Sequence, residues 1–220
     1  MEKYKNLTII GTSHIAIQSI KEVKEVLLKE KPNIIALELD KKRFYALLSK
    51  KRKISIRDIL RLGLKGFILN LVGAWIEEKL GKIVKVKPGS EMKTAIKIAR
   101  KLKSKIALID QDIETTLKKL SKNITWKEKL RFVFSIFKAF FKRPKIKIDL
   151  TKVPSKKIIK RLTDKLKEDY PSIYNILIKE RNGIMAKNLN KLMETNKSIV
   201  AVVGAGHEED LIKLIKNVKI

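Results

Sequence analysis

The chain has 220 residues, 44% of them hydrophobic, which is enough for one sizeable core, and no Pro/Gly/Ser-rich stretch divides it. Cysteine is absent, which excludes disulfides and thiolate metal sites, suits a reducing cytosol, and leaves any metal ion to imidazole and carboxylate ligands. The net charge of +29 favours anionic partners such as nucleic acid or anionic lipid. The chain carries no recognised nucleic-acid-binding motif, so nucleic acid is not expected as a partner, and the same surplus of lysine resembles the composition bias of heat-adapted proteins.

In chain order, MEKYKNLTII has lysines but too short an apolar run for a signal peptide, and it reads as the approach to a first strand, Leu7 to Ile10. A helical pattern follows from Ser19 to Lys29, then a strand from Ile34 to Leu39 and a helix from Arg43 to Lys50. Residues 54 to 104 form a helical insertion in which Ser90 or Gly89 begins one helix. The longest uncharged apolar stretch, Gly66 to Ile76, is far shorter than the roughly 20 residues a membrane span needs.

A third strand, Ile106 to Ile109, leads to a helix from Glu114 to Leu120. A second helical insertion runs from 124 to 192, with Pro154 and Pro171 at helix starts and Pro144 ending the helix that holds Phe132 to Phe141. The last strand, Ile199 to Val203, precedes a helix from Glu208 to Ile215. Strands apolar on both faces, alternating with helices, predict a single α/β domain over residues 1–220, with a mainly parallel sheet covered by helices.

The two histidines of the chain occur in the same phrase after a strand: Gly11-Thr12-Ser13-His14 and Gly204-Ala205-Gly206-His207. In a parallel sheet both emerge at the carboxyl edge, where open α/β sheets place their sites. The other two strands end in Glu38-Leu39-Asp40 and Asp110-Gln111-Asp112, so four strand ends deliver His, Asp or Glu to one edge. That collection suits a hard-metal or general acid–base centre.

Each member also has a bland explanation. Asp40 and Asp112 read as N-caps of the helices that follow, and Glu91 sits at a helix start, where the helix dipole favours a carboxylate whatever its use. Arg181 is placed to grip a carboxylate bidentately, although an exposed, locally paired helix arginine is commoner. Gly204-Ala205-Gly206 lacks the third glycine of a dinucleotide loop. In residues 126 to 143, Trp126, Phe132, Phe134, Phe137, Phe140 and Phe141 alternate with lysines and arginines. Core packing is the ordinary use of such a run; a partner helix, a second subunit or an anionic membrane surface would also cover it.

Taken together, Gly11-Thr12-Ser13-His14, Ser19, Val23, Pro32, Glu38-Leu39-Asp40 with Arg43, Pro88-Gly89-Ser90-Glu91-Met92 with Ala95 and Ala99, Leu108-Ile109-Asp110, Thr116-Leu117, Glu180-Arg181 with Met185-Ala186, and Val202-Val203-Gly204-Ala205-Gly206-His207 resemble the TraB/PrgY/GumN family, in that family's order, over about residues 7 to 209. The resemblance implies an erythromycin-esterase/ChaN-like α/β fold and kinship with the Tiki metal-dependent proteases. It further implies His14, His207, Glu38 and Glu91 as metal ligands, with Glu38, Glu91, Asp110 and Arg181 in catalytic or supporting roles. The implied cofactor is a divalent ion, Mn²⁺ or Co²⁺ before Zn²⁺, and the implied partner a peptide, since TraB-type members are named for shutting down peptide pheromones. A homodimer is a further expectation. Longer relatives carry membrane helices after this domain, so the expectation is a cytoplasmic domain, membrane-associated through a segment outside this chain. Gln111 stands where the family usually has Arg, which removes a cation beside Asp110.

Overall fold

A computed structural model describes residues 1–13, 17–49, 89–141 and 155–217. His14, Pro88, Pro144, Pro154 and the apolar stretch 66–76 lie outside the described residues. The protein is an α/β structure built on a five-stranded sheet of order β1-β2-β5-β3-β4, where β1 is Glu2–Tyr4, β2 Leu7–Thr12, β3 Ile34–Leu37, β4 Lys105–Leu108 and β5 Ile199–Gly204. Strands β2, β5, β3 and β4 are parallel and β1 pairs antiparallel at the edge.

The four expected strands are present within a few residues of their expected ends. The addition is β1, a three-residue hairpin arm whose sequence, EKY, has too little apolar character to announce a strand. Its turn places Lys5 at φ 49°.

Side chains alternate strictly across the sheet, because successive residues of a strand point to opposite faces. Ile9, Ile34, Ala36, Ala201 and Val203 face one layer, where Met185, Ala186 and Leu189 of α8 (Glu180–Met193) and Leu211, Ile212 and Ile215 of α9 (Ala205–Asn217) cover them. Ile10, Ile35, Leu37, Val200 and Val202 face the other, covered by Val23 and Leu27 of α1 (Ile17–Glu30) and by Met92, Ala95, Ile96 and Ala99 of α3 (Ser90–Leu102). Burial on both faces is why these strands lack the polar alternation of a half-exposed sheet. Two core helices, α3 and α8, thus come from within the spans 54–104 and 124–192.

The remaining helices are α2 (Lys41–Leu48), α4 (Ile113–Asn123), α5 (Trp126–Phe141), α6 (Lys156–Asp169) and the short α7 (Pro171–Tyr174) with Pro171 in its first turn. A π-helical turn, Asn175–Lys179, joins α7 to α8. Asp40 and Asp112 do cap α2 and α4: Asp40 accepts from the Arg43 amide, and Asp112 from the Glu114 and Thr115 amides. Core packing is not the fate of the described apolar residues at the start of α5. Trp126 is 76% exposed, Leu130 55%, Phe132 49% and Phe134 72%.

Among the described residues no helix is long and apolar enough to cross a membrane.

Candidate functional site

The carboxyl edge of the sheet is organised around Glu38, the residue that follows β3. Its backbone continues the ladder for one more bond, donating to the Val202 carbonyl at 3.1 Å, and its side chain turns under the end of β5, where Oε2 accepts the Gly204 amide hydrogen. Oε1 accepts from Nη2 of Arg181 and lies 3.4 Å from Nε2 of His207. Glu38 is almost fully buried, and a carboxylate so placed needs its charge met and its lone pairs occupied.

Arg181 meets that need for two acids. Its Nε donates to Oδ1 of Asp110 at 3.0 Å and its Nη2 to Oδ2 at 2.6 Å, the bidentate fork that guanidinium geometry suits, while Nη2 also reaches Glu38. Asp110 takes a further bond from Nη2 of Arg43, and Arg43 in turn grips Asp40 through Nε at 2.7 Å. Burial alone would raise the Asp110 pKa, but the hydrogen bonds and charges of Arg181 and Arg43 hold it below the usual aspartate value. Burial likewise works against the Arg181 cation, and Asp110 and Glu38 outweigh it, raising its pKa further.

Gln111 stands where the resemblance implies an Arg. The Gln111 side chain donates to Oγ1 of Thr116 at 2.8 Å, and Asp110 is neutralised by Arg43 and Arg181 instead.

His207 stands in the first turn of α9, nearly buried. Its Nδ1 lies 2.6 Å from Oδ1 of Asn182, itself buried on α8. An amide oxygen only accepts, so Nδ1 carries the hydrogen and donates it. Nε2 is then the ring nitrogen that faces Glu38. Asn182 follows Arg181 directly, and both are delivered by the π turn. There the Glu180 amide donates back to Asn175, five residues earlier, and Nη1 of Arg181 donates to the Leu177 carbonyl at 3.1 Å. A π turn adds one residue to a helical turn and so rotates everything after it, a device common at functional sites.

The first histidine phrase reaches the same edge. Thr12 pairs with Gly204 across β2 and β5 and donates its hydroxyl hydrogen to the Val203 carbonyl at 3.0 Å, and the Ser13 amide donates to the buried Ser19 hydroxyl at 2.8 Å. A Cβ at Gly11 would stand 2.4 Å from Oε2 of Glu208 and 3.2 Å from the Ala205 Cα, so the Glu208 carboxylate would have to move aside. His14 itself lies outside the described residues. Glu91 is buried in the first turn of α3, on the α1 side of the sheet.

The structure therefore joins Glu38, Asp110, Arg181 and His207 in one network. Among the described residues no three His, Asp or Glu side chains converge tightly enough to hold a metal ion. Sequence reasoning assigned no role to Asn182 or Glu208. Each adjoins a residue it did single out, which is the signal that was available.

Fold and edge together define an α/β protein whose polar network is gathered at the carboxyl ends of parallel strands. The chain belongs to the TraB/PrgY/gumN family, whose sequence profile matches residues 2–217. It is 38% identical over 221 residues to an uncharacterized protein, MJ1365, of Methanocaldococcus jannaschii, a match covering 97% of this chain and 54% of that protein. It is 23% identical over 230 residues to the TraB domain-containing proteins of Homo sapiens and Mus musculus, covering 90% of this chain and 60% of each. The chain thus spans little more than half the length of these relatives.

Proposed function

We propose that the carboxyl edge is the centre of a metal-dependent, peptidase-like hydrolase that acts on a peptide. The observation that supports this reading is the pairing of His207 with Glu38. Nδ1 contacts Asn182 and Nε2 stands 3.4 Å from the Glu38 carboxylate, so an imidazole and a carboxylate meet at the strand ends. Imidazole and carboxylate are a donor pair that a divalent ion such as Mn²⁺, Co²⁺ or Zn²⁺ would accept.

In this reading His207 and Glu38 hold the ion, with His14 and Glu91 as the remaining candidate ligands. The ion supplies a water of lowered pKa and a Lewis acid for the scissile carbonyl. The chain's own part is orientation and charge. Asn182 fixes the ring tautomer of His207, as the partners of metal-bound histidines usually do. Arg181 holds the Glu38 carboxylate aimed at the edge and, with Arg43, occupies Asp110.

Titration calorimetry of the protein with Mn²⁺, Co²⁺ and Zn²⁺, beside His207→Ala and His14→Ala, tests the centre. Wild-type binding largely lost in both variants is expected; no binding by the wild type, or equal binding by all, refutes it. Cleavage of a peptide library, read by mass spectrometry and abolished by a chelator, tests the reaction.

A second reading, a module that sequesters a peptide without cutting it, is favoured by the saturation of Asp110, which accepts three bonds from two guanidinium groups and a fourth from the Gln111 amide and so keeps no free lone pair for proton transfer. It is distinguished by peptide affinity without any cleaved product.

A further inference from the structure

The apolar stripe on α5 is built for a surface other than water. Trp126, Leu130 and Phe134 follow one another at four-residue spacing and so share one side of the helix, and all three are more than half exposed. The helix is tied to the body by the opposite side. Glu128 is buried, accepts from the Thr125 amide and hydroxyl, and accepts from the Ser172 amide at 2.7 Å at the start of α7. At 100° per residue Glu128 lies roughly 160° around the helix from the middle of the stripe. The anchoring contacts therefore turn the Trp126–Leu130–Phe134 side outward, while Phe132, next to Glu128 on the wheel, is 49% exposed beside the anchor.

Cations border that side on both flanks. By the same wheel Lys127 and Lys129 stand on either edge of the stripe, and Nζ of Lys129 lies 5.1 Å from the centroid of the Trp126 ring. Among the described residues neither lysine has an acidic partner. Arg131, further round, reaches the Asp169 carbonyl and ties α5 to the end of α6. Glu128 is the one acid of α5, and it is turned inward.

We propose that α5 docks this protein on an anionic lipid surface, lying in the interface plane with Trp126, Leu130 and Phe134 inserted below the headgroups and Lys127 and Lys129 reaching up to lipid phosphates. Exposed aromatic side chains bury apolar area in the acyl boundary, and flanking lysines snorkel to the charged layer. The charge complementarity is large, since a chain of net charge +29 is drawn to an anionic bilayer before any side chain inserts. A second copy of the same chain would bring the same cations face to face, which disfavours self-association through this stripe. This inference does not depend on the His207 centre.

The test uses the full chain with Trp75→Phe, which leaves Trp126 as the single tryptophan, and vesicles of phosphatidylcholine with or without phosphatidylglycerol. Co-sedimentation with the phosphatidylglycerol vesicles at low salt is expected, with a blue shift of Trp126 emission on binding and little association with pure phosphatidylcholine. The variant Leu130→Ser/Phe134→Ser removes exposed side chains, so its thermal unfolding should match the parent; its vesicle affinity should fall at least tenfold and its emission stay unshifted. Lys127→Glu/Lys129→Glu should weaken binding in a salt-dependent way. Absence of vesicle binding overturns the proposal, as does binding that leaves Trp126 emission or the serine variant unaffected. A dimer in analytical ultracentrifugation that the serine variant dissolves assigns the stripe to a second copy instead, and equally overturns it.

Discussion

Nδ1 of His207 lies 2.6 Å from Oδ1 of Asn182, and both residues are buried. This contact decides which nitrogen of the ring is left to face Glu38. Replacing Asn182 by Ala frees the ring to change tautomer and removes its orientation. Divalent-metal affinity is expected to fall roughly 10- to 100-fold, the usual cost of losing such a partner, with about 1–3 kcal/mol lost in stability. Calorimetry and urea unfolding measure the two effects separately. Unchanged metal affinity in a destabilised variant would make Asn182 a packing residue alone.

Arg181 serves Glu38 and Asp110 together, so Arg181→Met leaves two buried carboxylates without their fork. A loss of about 3–5 kcal/mol is expected. Arg181→Lys should recover only part of it, because an ammonium cannot span Asp110 bidentately. The pH dependence has a definite sign. The Asp110 pKa is depressed in the folded protein, so its contribution is complete above the unfolded aspartate value and drains away as the pH falls below it. Urea midpoints taken from pH 6 down to pH 2 should fall steeply at the acid end, and Asp110→Asn should flatten that slope. An equally steep slope in Asp110→Asn would place the acid sensitivity elsewhere.

Asp40 does more than cap α2. It also pairs with Nε of Arg43 and accepts the Ile113 amide at 3.2 Å, tying the start of α2 to the start of α4. Loss of an N-cap alone costs about 1 kcal/mol. Asp40→Ala is expected to cost about twice that, and Asp40→Asn, which keeps one oxygen for the Arg43 amide but turns an NH2 donor toward the Ile113 amide and Arg43 Nε, somewhat less. Full recovery in Asp40→Asn would show that the α2 cap bond alone matters and that the Oδ2 contacts to Ile113 and Arg43 contribute nothing.

Gly11 and Glu208 form a pair in which one side chain occupies the place the other lacks. A methyl at Gly11 would meet Oε2 of Glu208 at 2.4 Å and the Ala205 backbone at 3.2 Å. Gly11→Ala should destabilise by about 1–3 kcal/mol, and Glu208→Ala in the same chain should restore part of that loss. Additive losses in the double variant would break the proposed coupling.

The strands were readable because burial on both faces leaves uninterrupted apolar runs such as IVAVV, and the caps because Asp before a helical pattern has one simple use. Strand β1 was not readable, since a three-residue edge arm needs only backbone pairing and carries no apolar pattern. Glu38, Asp110 and His207 were legible as strand-end residues, and topology alone brings them to one edge. Their partners were harder. Arg181 and Asn182 lie 143 and 25 residues away from Glu38 and His207, the residues they serve, and nothing in helical periodicity points a particular arginine inward. The exposure of Trp126, Leu130 and Phe134 was equally hidden, because an apolar face has the same sequence whether a core or a lipid surface covers it.

The π turn at Asn175–Lys179 sets the phase of everything that follows it. Residues 171–174 and 180–193 belong to one continuous rod, yet no single helical wheel fits both, because the widened turn carries one residue more than an α-helical turn. The apolar positions of α8 that seal the sheet, Met185, Ala186 and Leu189, therefore share their angular setting with Arg181 and Asn182 rather than with Ile173 and Tyr174. Losing one residue from the turn would leave the rod intact and rotate it by about 100°, withdrawing core and polar network in the same movement. Stability and site chemistry are thus locked to the length of one five-residue turn.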